Sequence, residues 1–208
     1  MTHPATIGVL LAGGLGRRMG GADKPLRKIG GRTLLARVAE RLAPQCEALI
    51  VNANGDPERF ATLGLPVVPD TIEGFAGPLA GILTALEWVR EHRPDCAWIV
   101  SVPTDSPFLP RDLVARLHDA RLLARQPLAS ARSGEQVHPV VGLWPVALAD
   151  TLRHALVVED RRAVGRWVAQ TGAGEAIWPT EPYDPFFNAN RPEDLAAAEA
   201  ILARWPDA

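Results

Sequence analysis

The chain has 208 residues, a formal net charge of -2 and an isoelectric point near 6.2. This length suits one α/β domain with a sizeable core, and the small net charge gives no general attraction to nucleic acid or to a membrane surface. The two cysteines, Cys46 and Cys96, form no CxxC motif and accompany no histidine cluster, which argues against a disulfide framework and a zinc site. No basic segment precedes a long apolar run at the amino terminus, so we expect a soluble cytoplasmic protein.

Strand-like and helix-like segments alternate through the first half of the chain. An apolar strand is predicted over residues 7–12, and Thr33 is predicted to cap a helix whose apolar residues recur at helical spacing up to Leu42. The next segments predict, in order, a strand, a short helix, a short strand, a long helix, a strand and a helix: residues 48–51, 57–63, 67–68, 77–92, 97–102 and 110–123. Repeated units of this kind indicate a mostly parallel sheet with helices on both faces.

The pattern changes in the second half. Residues 128–131 and 137–143 predict a hairpin around Ser133 and Gly134, which is typical of an antiparallel addition at a sheet edge. Three helices and a weak strand follow, and they are predicted over residues 145–155, 161–170, 192–204 and 176–178 respectively. The predicted fold class is α/β. It is a doubly wound, mostly parallel, Rossmann-like sheet with helices on both faces and an antiparallel edge hairpin, in one domain over residues 1–208.

A loop rich in glycine and basic residues follows the first predicted strand. Its glycines are Gly13, Gly14, Gly16, Gly20 and Gly21. Without a Cβ these residues let backbone N–H groups approach phosphate oxygens, and Arg17, Arg18 and Lys24 add positive charge. The loop is neither a P-loop, which needs Lys-Ser or Lys-Thr, nor the dinucleotide fingerprint, because Met19 replaces the third glycine. It predicts a triphosphate site at the carboxyl end of a strand, and a tight turn with a solvated basic edge is the alternative.

Polar residues close the other predicted strands. Asn52 follows the second strand, Asp70 the third and Asp105 the fourth. Ligands of open α/β sheets bind at the carboxyl ends of strands, so these side chains are candidate ligand contacts. Asp105 lies in a loop between two prolines and suits a Mg²⁺ ion that neutralises a triphosphate. Turn formation is the alternative for all three residues. The single histidine of the hairpin, His138, is predicted to be structural.

Taken together, these motifs resemble the signature of the molybdenum cofactor guanylyltransferases. The first loop carries Leu11-Ala12-Gly13-Gly14, Arg18-Met19-Gly20 and Asp23-Lys24-Pro25-Leu26. The later matching segments are Val51-Asn52-Ala53-Asn54, Asp70, Gly77-Pro78-Leu79-Ala80-Gly81, Pro103-Thr104-Asp105, His138-Pro139 and Asn188-Ala189-Asn190. The matches extend from the first strand to the last helix and therefore cover nearly the whole chain.

The resemblance implies a nucleotidyltransferase domain that transfers GMP from GTP to the terminal phosphate of molybdenum-molybdopterin and releases pyrophosphate. It implies GTP contacts from Leu11, Ala12, Gly13, Lys24, Asn52, Asp70 and Asp105. It also implies that Asp105 binds Mg²⁺ and that Asn188 and Asn190 face the pterin. We expect Arg17, Lys24 and Asp105 to carry catalysis. Because the attacking group is already a phosphate, no covalent intermediate and no general base are expected.

The identity of the base and the class of protein leave alternatives open. Related cytidylyltransferases carry alanine at the position of Gly13, so the smaller residue favours guanine over cytosine. One alternative is a nucleotidyltransferase of the same fold that uses CTP or another acceptor, such as a sugar phosphate or cobinamide phosphate. The other is a non-catalytic carrier of the finished molybdenum cofactor. We expect a monomer that binds no nucleic acid and no membrane, with other cofactor-biosynthesis proteins or molybdoenzyme chaperones as partners.

Overall fold

The computed structural model describes residues 3–13, 24–72, 74 and 77–208 of the chain. The strands within these ranges are β1 Thr6–Leu11, β2 Lys28–Ile29, β3 Arg32–Thr33, β4 Ala48–Asn52, β5 Val67–Val68, β6 Trp98–Pro103, β7 Leu128–Ser133, β8 Gln136–Pro145 and β9 Ala173–Trp178. The α-helices are α1 Leu34–Leu42, α2 Pro78–His92, α3 Leu113–Ala124, α4 Ala149–Val157, α5 Val164–Thr171 and α6 Pro192–Arg204. Short 3-10 helices lie at Lys24–Leu26, Ala43–Gln45, Pro57–Leu63 and Val146–Leu148. None of the described helices combines the length and the apolar character needed to cross a membrane.

Seven of the described strands form one sheet in the order β5-β4-β1-β6-β8-β7-β9. Neighbouring strands are parallel except that β8 runs antiparallel to both β6 and β7. The predicted hairpin is present as β7 and β8, but its place at the edge of the sheet was predicted wrongly, because β9 pairs with β7 and covers its outer side. The short strands β2 and β3 pair separately as a two-stranded antiparallel sheet. The mostly parallel α/β fold class is confirmed.

Helices cover both faces of the sheet because both faces of its central strands are apolar. In β1, Ile7 and Val9 point to the face that packs on α2, α4 and α5. Leu10, and Ala12 just beyond the strand, point to the opposite face, which packs on α1 and α3. This alternation is the period-2 pattern of a strand buried on both sides, and it confirms the doubly wound arrangement.

The last helix packs away from these two layers. Helix α6 contributes Leu202 to a third apolar cluster, which also contains Ile29 of β2 and Phe108. Phe108 belongs to the loop after β6, and Ile29 follows the loop after β1. The cluster therefore ties α6 to β2 and to the loop after β6, which carries the candidate residue Asp105.

Helix starts follow local capping chemistry only in part. Thr33 caps α1 as predicted, because its Oγ1 accepts a hydrogen bond from Ala36 N at 3.1 Å. Helix α3 begins at Leu113 rather than at Pro110, since Leu113 N donates to Pro110 O at 3.4 Å and closes a separate turn first. Helices α4 and α5 also begin later than predicted, and a 3-10 turn precedes α4.

Strand β9 is longer than the strand predicted from the sequence over residues 176–178. It spans Ala173–Trp178, although Gly172 directly before it and Gly174 within it are residues with low strand propensity. A Cβ built at Gly174 would lie 2.6 Å from the carbonyl carbon of Ala120 and 2.9 Å from Arg121 N. Glycine is needed at this position because the backbone of α3 lies directly on the strand.

His118 is a buried histidine whose neighbours fix its tautomer. Its Nε2 lies 2.9 Å from Thr6 Oγ1, and that hydroxyl donates to Pro4 O at 2.8 Å, so Nε2 carries the hydrogen. Nδ1 then accepts from Arg121 Nε at 3.4 Å. Burial first, and then the charges of Arg121 and His3, lower the pKa of His118 to about 4.

His118 should make the stability of the protein fall in mild acid. An unfolded histidine has a pKa of about 6.5, so the folded state is fully favoured above that pH and loses stability as the pH falls toward the folded value of about 4. We expect the free energy of unfolding, measured by urea denaturation, to decrease by up to about 3 kcal/mol across this interval. His118→Gln, which keeps a donor for Thr6, should flatten the pH dependence; an unchanged slope would exclude His118 as its source.

Candidate active site

The carboxyl ends of β1, β4 and β6 lie side by side at one edge of the sheet. Leu11 is opposite both Asn52 and Pro103 in the strand register. Ala12 N donates to Asn52 O at 2.9 Å, and Thr104 Oγ1 donates to Leu11 O at 3.4 Å. These bonds continue the pairing beyond the regular strands, so the residues that follow the three strands stay adjacent.

An ion pair joins the segment after β1 to the loop after β6. Lys24 Nζ contacts Asp105 Oδ2 and also Asn190 Oδ1. The side chains of Lys24 and Asp105 are 25% and 16% exposed, so the pair is partly shielded from water. Asp105 O accepts from Ala189 N at 2.9 Å, which holds the segment before α6 against the same loop. The predicted cation and the predicted carboxylate therefore face each other on one rim of the sheet.

The second carboxylate oxygen of Asp105 is suited to a cation. Asp105 Oδ1 is buried, and no described residue offers it a hydrogen bond. Leaving a buried polar atom unpaired costs roughly 1–3 kcal/mol, and more for a charged group. Hard divalent cations prefer carboxylate oxygens as ligands. Within the described ranges no group of three His, Cys, Asp or Glu residues could hold a metal.

Asn52 and Asp70 contact each other where β4 and β5 end. Asn52 is only 2% exposed, and its Nδ2 donates to Val68 O at 3.1 Å and to Asp70 Oδ1 at 2.9 Å. Both hydrogens of this amide are used inside the protein. A ligand can therefore reach Asn52 only through an oxygen, whereas the carboxylate of Asp70 is half-buried.

Gly81 allows α2 to pack directly on Asn52. A Cβ built at Gly81 would lie 2.9 Å from Asn52 Cγ, closer still to Oδ1, and 3.0 Å from Leu11 Cδ2. Alanine is ordinarily about 1 kcal/mol more favourable than glycine inside a helix. We expect Gly81→Ala to have the opposite effect, a loss of roughly 1–3 kcal/mol in unfolding free energy, because Asn52 is buried and has no room to move.

Gly165 provides the matched control for this prediction. It lies in α5, and the nearest atom to a Cβ built there is Pro139 Cγ at 3.7 Å, an ordinary van der Waals contact. Gly165→Ala should therefore follow helix propensity and raise the unfolding free energy by up to about 1 kcal/mol. Equal shifts of the same sign in urea denaturation of the two variants would show that the contact with Asn52 has no energetic weight.

Of the remaining predicted site residues, some contact the site, some are exposed beside it and others lie outside the described residues. Gly13 is exposed just beyond β1, and a Cβ built there would lie 3.5 Å from Asn52 Oδ1. Asn190 contacts Lys24, whereas Asn188 is exposed and accepts from Asn190 N through its carbonyl at 3.1 Å. Arg17 and the rest of the predicted loop over 14–23 lie outside the described residues.

Asn54 lies in the site, although the motifs gave it no role. Its Nδ2 donates to Asp70 Oδ2 at 2.8 Å. The available signal was the spacing of Asn52 and Asn54, because alternate residues of an extended segment point to the same side.

His138 is accounted for by packing: its Nε2 lies 2.7 Å from Ser133 Oγ, and burial lowers its pKa.

Known proteins match this chain along most of its length. Residues 8–174 match the family model described as the MobA-like NTP transferase domain. The chain is 57% identical over 202 residues to the molybdenum cofactor guanylyltransferase of Rhodopseudomonas palustris strain BisB5, with 97% of this chain and 96% of that protein covered. It is 61% identical over 202 residues to the protein of the same name from Bradyrhizobium sp. strain ORS 278, with coverages of 97% and 95%.

The architecture also matches a solved structure. The crystal structure of molybdopterin-guanine dinucleotide biosynthesis protein A from Archaeoglobus fulgidus is similar with a TM-score of 0.69. The match covers 96% of this chain and 99% of that chain at 22% identity. At this level of identity the similarity concerns the fold alone.

Proposed function

We propose that this chain, which belongs to the family of MobA-like NTP transferase domains, transfers GMP from GTP to the terminal phosphate of molybdenum-molybdopterin. The products are molybdopterin guanine dinucleotide and pyrophosphate. Two relatives that match nearly the whole chain at 57% and 61% identity carry the name of this activity. The family predicted from the loop motifs is confirmed, and the protein is a nucleotidyltransferase.

The ion pair between Lys24 and Asp105 is the observation that carries the proposal. Transfer of a nucleotidyl group needs positive charge beside the triphosphate and a carboxylate that can hold a divalent cation. Both groups meet at the carboxyl end of β1, where ligands of open α/β sheets bind. A carrier of the finished cofactor has no use for either, so the pair favours an enzyme.

The charged residues act on the triphosphate. Lys24, together with Arg17, offsets the negative charge of GTP. Asp105 would hold Mg²⁺ through Oδ1, which has no hydrogen-bond partner among the described residues, and the ion would supply charge neutralisation at the phosphate oxygens. Residues 11–13 contact GTP at the carboxyl end of β1, and Asn52 and Asp70 also contact the nucleotide.

The reaction is a single displacement at phosphorus. A phosphate oxygen of molybdopterin attacks the α-phosphorus of GTP, a new P–O bond forms, and the bond to the oxygen that bridges to the β-phosphate breaks. Pyrophosphate leaves with that bridging oxygen. The attacking phosphate is already ionised, so positioning and charge neutralisation set the rate. We infer that Asn188 and Asn190 face the pterin, and the contact of Asn190 with Lys24, the proposed triphosphate ligand, supports this inference.

Gly13 supports guanine as the base. A side chain at this position would occupy the space beside Asn52 Oδ1, which a Cβ would approach to 3.5 Å. The absence of a side chain at Gly13 leaves more room for a purine, which is the reason we favour guanine. A thermal-shift panel with Mg²⁺ and GTP, CTP, UTP or ATP tests the donor, because a ligand that binds the native state raises its apparent stability. GTP should give the largest shift, and an equal or larger shift with CTP would overturn the assignment of the base.

Pyrophosphate release from GTP and molybdenum-molybdopterin tests the activity itself. One pyrophosphate should appear for each dinucleotide formed, only when both substrates and Mg²⁺ are present. Release with a sugar phosphate or cobinamide phosphate in place of the pterin would indicate another acceptor. Absence of release, with tight binding of the finished dinucleotide, would indicate a carrier.

Several features of the proposed enzyme stay predictions. They are the single domain over residues 1–208, the monomeric state, the cytoplasmic location and the partners among cofactor-biosynthesis proteins or molybdoenzyme chaperones. Analytical ultracentrifugation at micromolar concentration measures the oligomeric state, and we expect a monomer.

A further inference from the structure

Asn54 and Asp70 form a closed ring of two hydrogen bonds beyond β4 and β5. Asn54 Nδ2 donates to Asp70 Oδ2 at 2.8 Å, and Asp70 N donates to Asn54 Oδ1 at 2.8 Å. Asn52 Nδ2 donates to the other carboxylate oxygen, Asp70 Oδ1, at 2.9 Å. Each oxygen of the carboxylate thus accepts from a different asparagine, which fixes the position of Asp70 and the rotation of its carboxylate plane.

Of the two asparagines that donate to the carboxylate of Asp70, Asn54 is the one that lies on the solvent side. Asn52 is buried and held by Val68 O, so its contact with Asp70 belongs to the core. On the other flank, Thr71 N donates to Thr84 Oγ1 at 3.0 Å, which ties the chain after Asp70 to α2. Asn54 is exposed, and its backbone carbonyl accepts from Arg59 Nη1 at 3.3 Å. The side chain of Asn54 therefore joins Asp70 to the loop after β4.

We propose that Asn54 is a positioning residue, which holds the carboxylate of Asp70 in the orientation that contacts the nucleotide. The inference rests on the proposed function, because it takes Asp70 as a nucleotide contact. Asn54 itself acts through Asp70 and needs no contact with substrate. A carboxylate that is oriented before the ligand arrives loses less conformational freedom on binding, so the effect belongs to nucleotide affinity.

A double-mutant cycle on Asn54→Ala and Asp70→Ala tests the inference. Asn54→Ala should raise KM for GTP, and the dissociation constant of GTP measured by calorimetry, by about tenfold while kcat changes less than about threefold. Asp70→Ala should raise both at least as much. The double variant should be no worse than Asp70→Ala alone, because Asn54 has nothing to position once the carboxylate is gone.

Asp56→Ala is the control for a merely structural effect. Asp56 lies in the same loop, and its Oδ1 accepts from Glu58 N at 3.0 Å to cap the 3-10 helix Pro57–Leu63. Its loss should lower the unfolding midpoint without moving the dissociation constant of GTP. A shift in GTP affinity that equals the one in Asn54→Ala would show that loop stability alone explains both.

Three further outcomes would overturn the inference. GTP affinity unchanged in Asn54→Ala but reduced in Asp70→Ala would show that the ring is not needed. A further loss caused by Asn54→Ala in the Asp70→Ala background would show that Asn54 contacts the nucleotide itself. GTP affinity unchanged in Asp70→Ala would remove Asp70 as a contact, yet pyrophosphate release by the unaltered protein would still support the proposed function. Because calorimetry needs no turnover, the cycle remains decisive even if no pyrophosphate is released.

Discussion

Asp105→Ala should abolish Mg²⁺-dependent GMP transfer. We expect kcat/KM to fall by about 10³-fold or more, which is roughly 4 kcal/mol of lost transition-state stabilisation. The reason is the unequal use of the two carboxylate oxygens: Oδ2 pairs with Lys24, while Oδ1 is buried and has no hydrogen-bond partner in the described part of the chain. Alanine removes both the candidate metal ligand and the partner that orients Lys24.

The fold should survive this substitution because the bond of Asp105 to its neighbouring segment is made by the backbone. Its carbonyl accepts from Ala189 N at 2.9 Å, and alanine keeps that bond. Asp112→Ala is the matched control, since Asp112 lies further along the same loop, accepts from Trp178 Nε1 at 2.9 Å and forms an ion pair with Arg116 Nη1 at 3.6 Å. Circular dichroism should show that Asp105→Ala is folded, and pyrophosphate release should be lost in Asp105→Ala but not in Asp112→Ala. Near-normal turnover of Asp105→Ala would remove Asp105 from the mechanism.

Lys24→Ala should weaken GTP binding and slow the departure of pyrophosphate. We expect KM for GTP to rise roughly 10- to 100-fold, with a fall in kcat, because a charge-assisted contact to the triphosphate is lost in both the ground state and the transition state. Lys24→Arg should restore activity only in part, since a planar guanidinium does not fit the point contact that Lys24 Nζ makes with Asp105 and Asn190. Steady-state kinetics with each substrate varied in turn measures both effects.

Lys28→Ala is the control for the loss of a positive charge. Lys28 is exposed on β2, a few residues from Lys24. Its removal should leave KM for both substrates unchanged, because exposed charges are largely screened at physiological ionic strength. If Lys24→Ala changed only the affinity for the pterin, the assignment of Lys24 to the triphosphate would be wrong.

The layers of the fold could be predicted because local pattern and packing agree. The apolar run of β1 is buried on both faces, and the capping residue of α1 does bond to the first turn. The order of strands at one edge could not be predicted, because the pairing of β7 with β9 joins segments far apart in the chain. Strand propensity also underestimates the length of β9, because close contact with the backbone of α3 requires glycine at position 174.

The candidate site was predictable where strand ends decide the geometry. Asp105 and Lys24 were expected on one rim because parallel strands end together, and they form an ion pair there. The ring of Asn54 and Asp70 was not predictable, since it depends on how two loops meet after strands of unequal length. The contact of Asn190 with Lys24 likewise depends on the packing of α6 against Phe108, which no local pattern encodes.

A crystal structure of the protein with GTP and Mn²⁺, in which the anomalous signal locates the metal, would show whether Lys24 and Asp105 bind the triphosphate and its cation. We expect a manganese peak at Asp105 Oδ1, with the triphosphate beside Lys24 Nζ at the carboxyl end of β1. A triphosphate bound on the opposite rim of the sheet, or a metal with no contact to Asp105, would contradict this expectation.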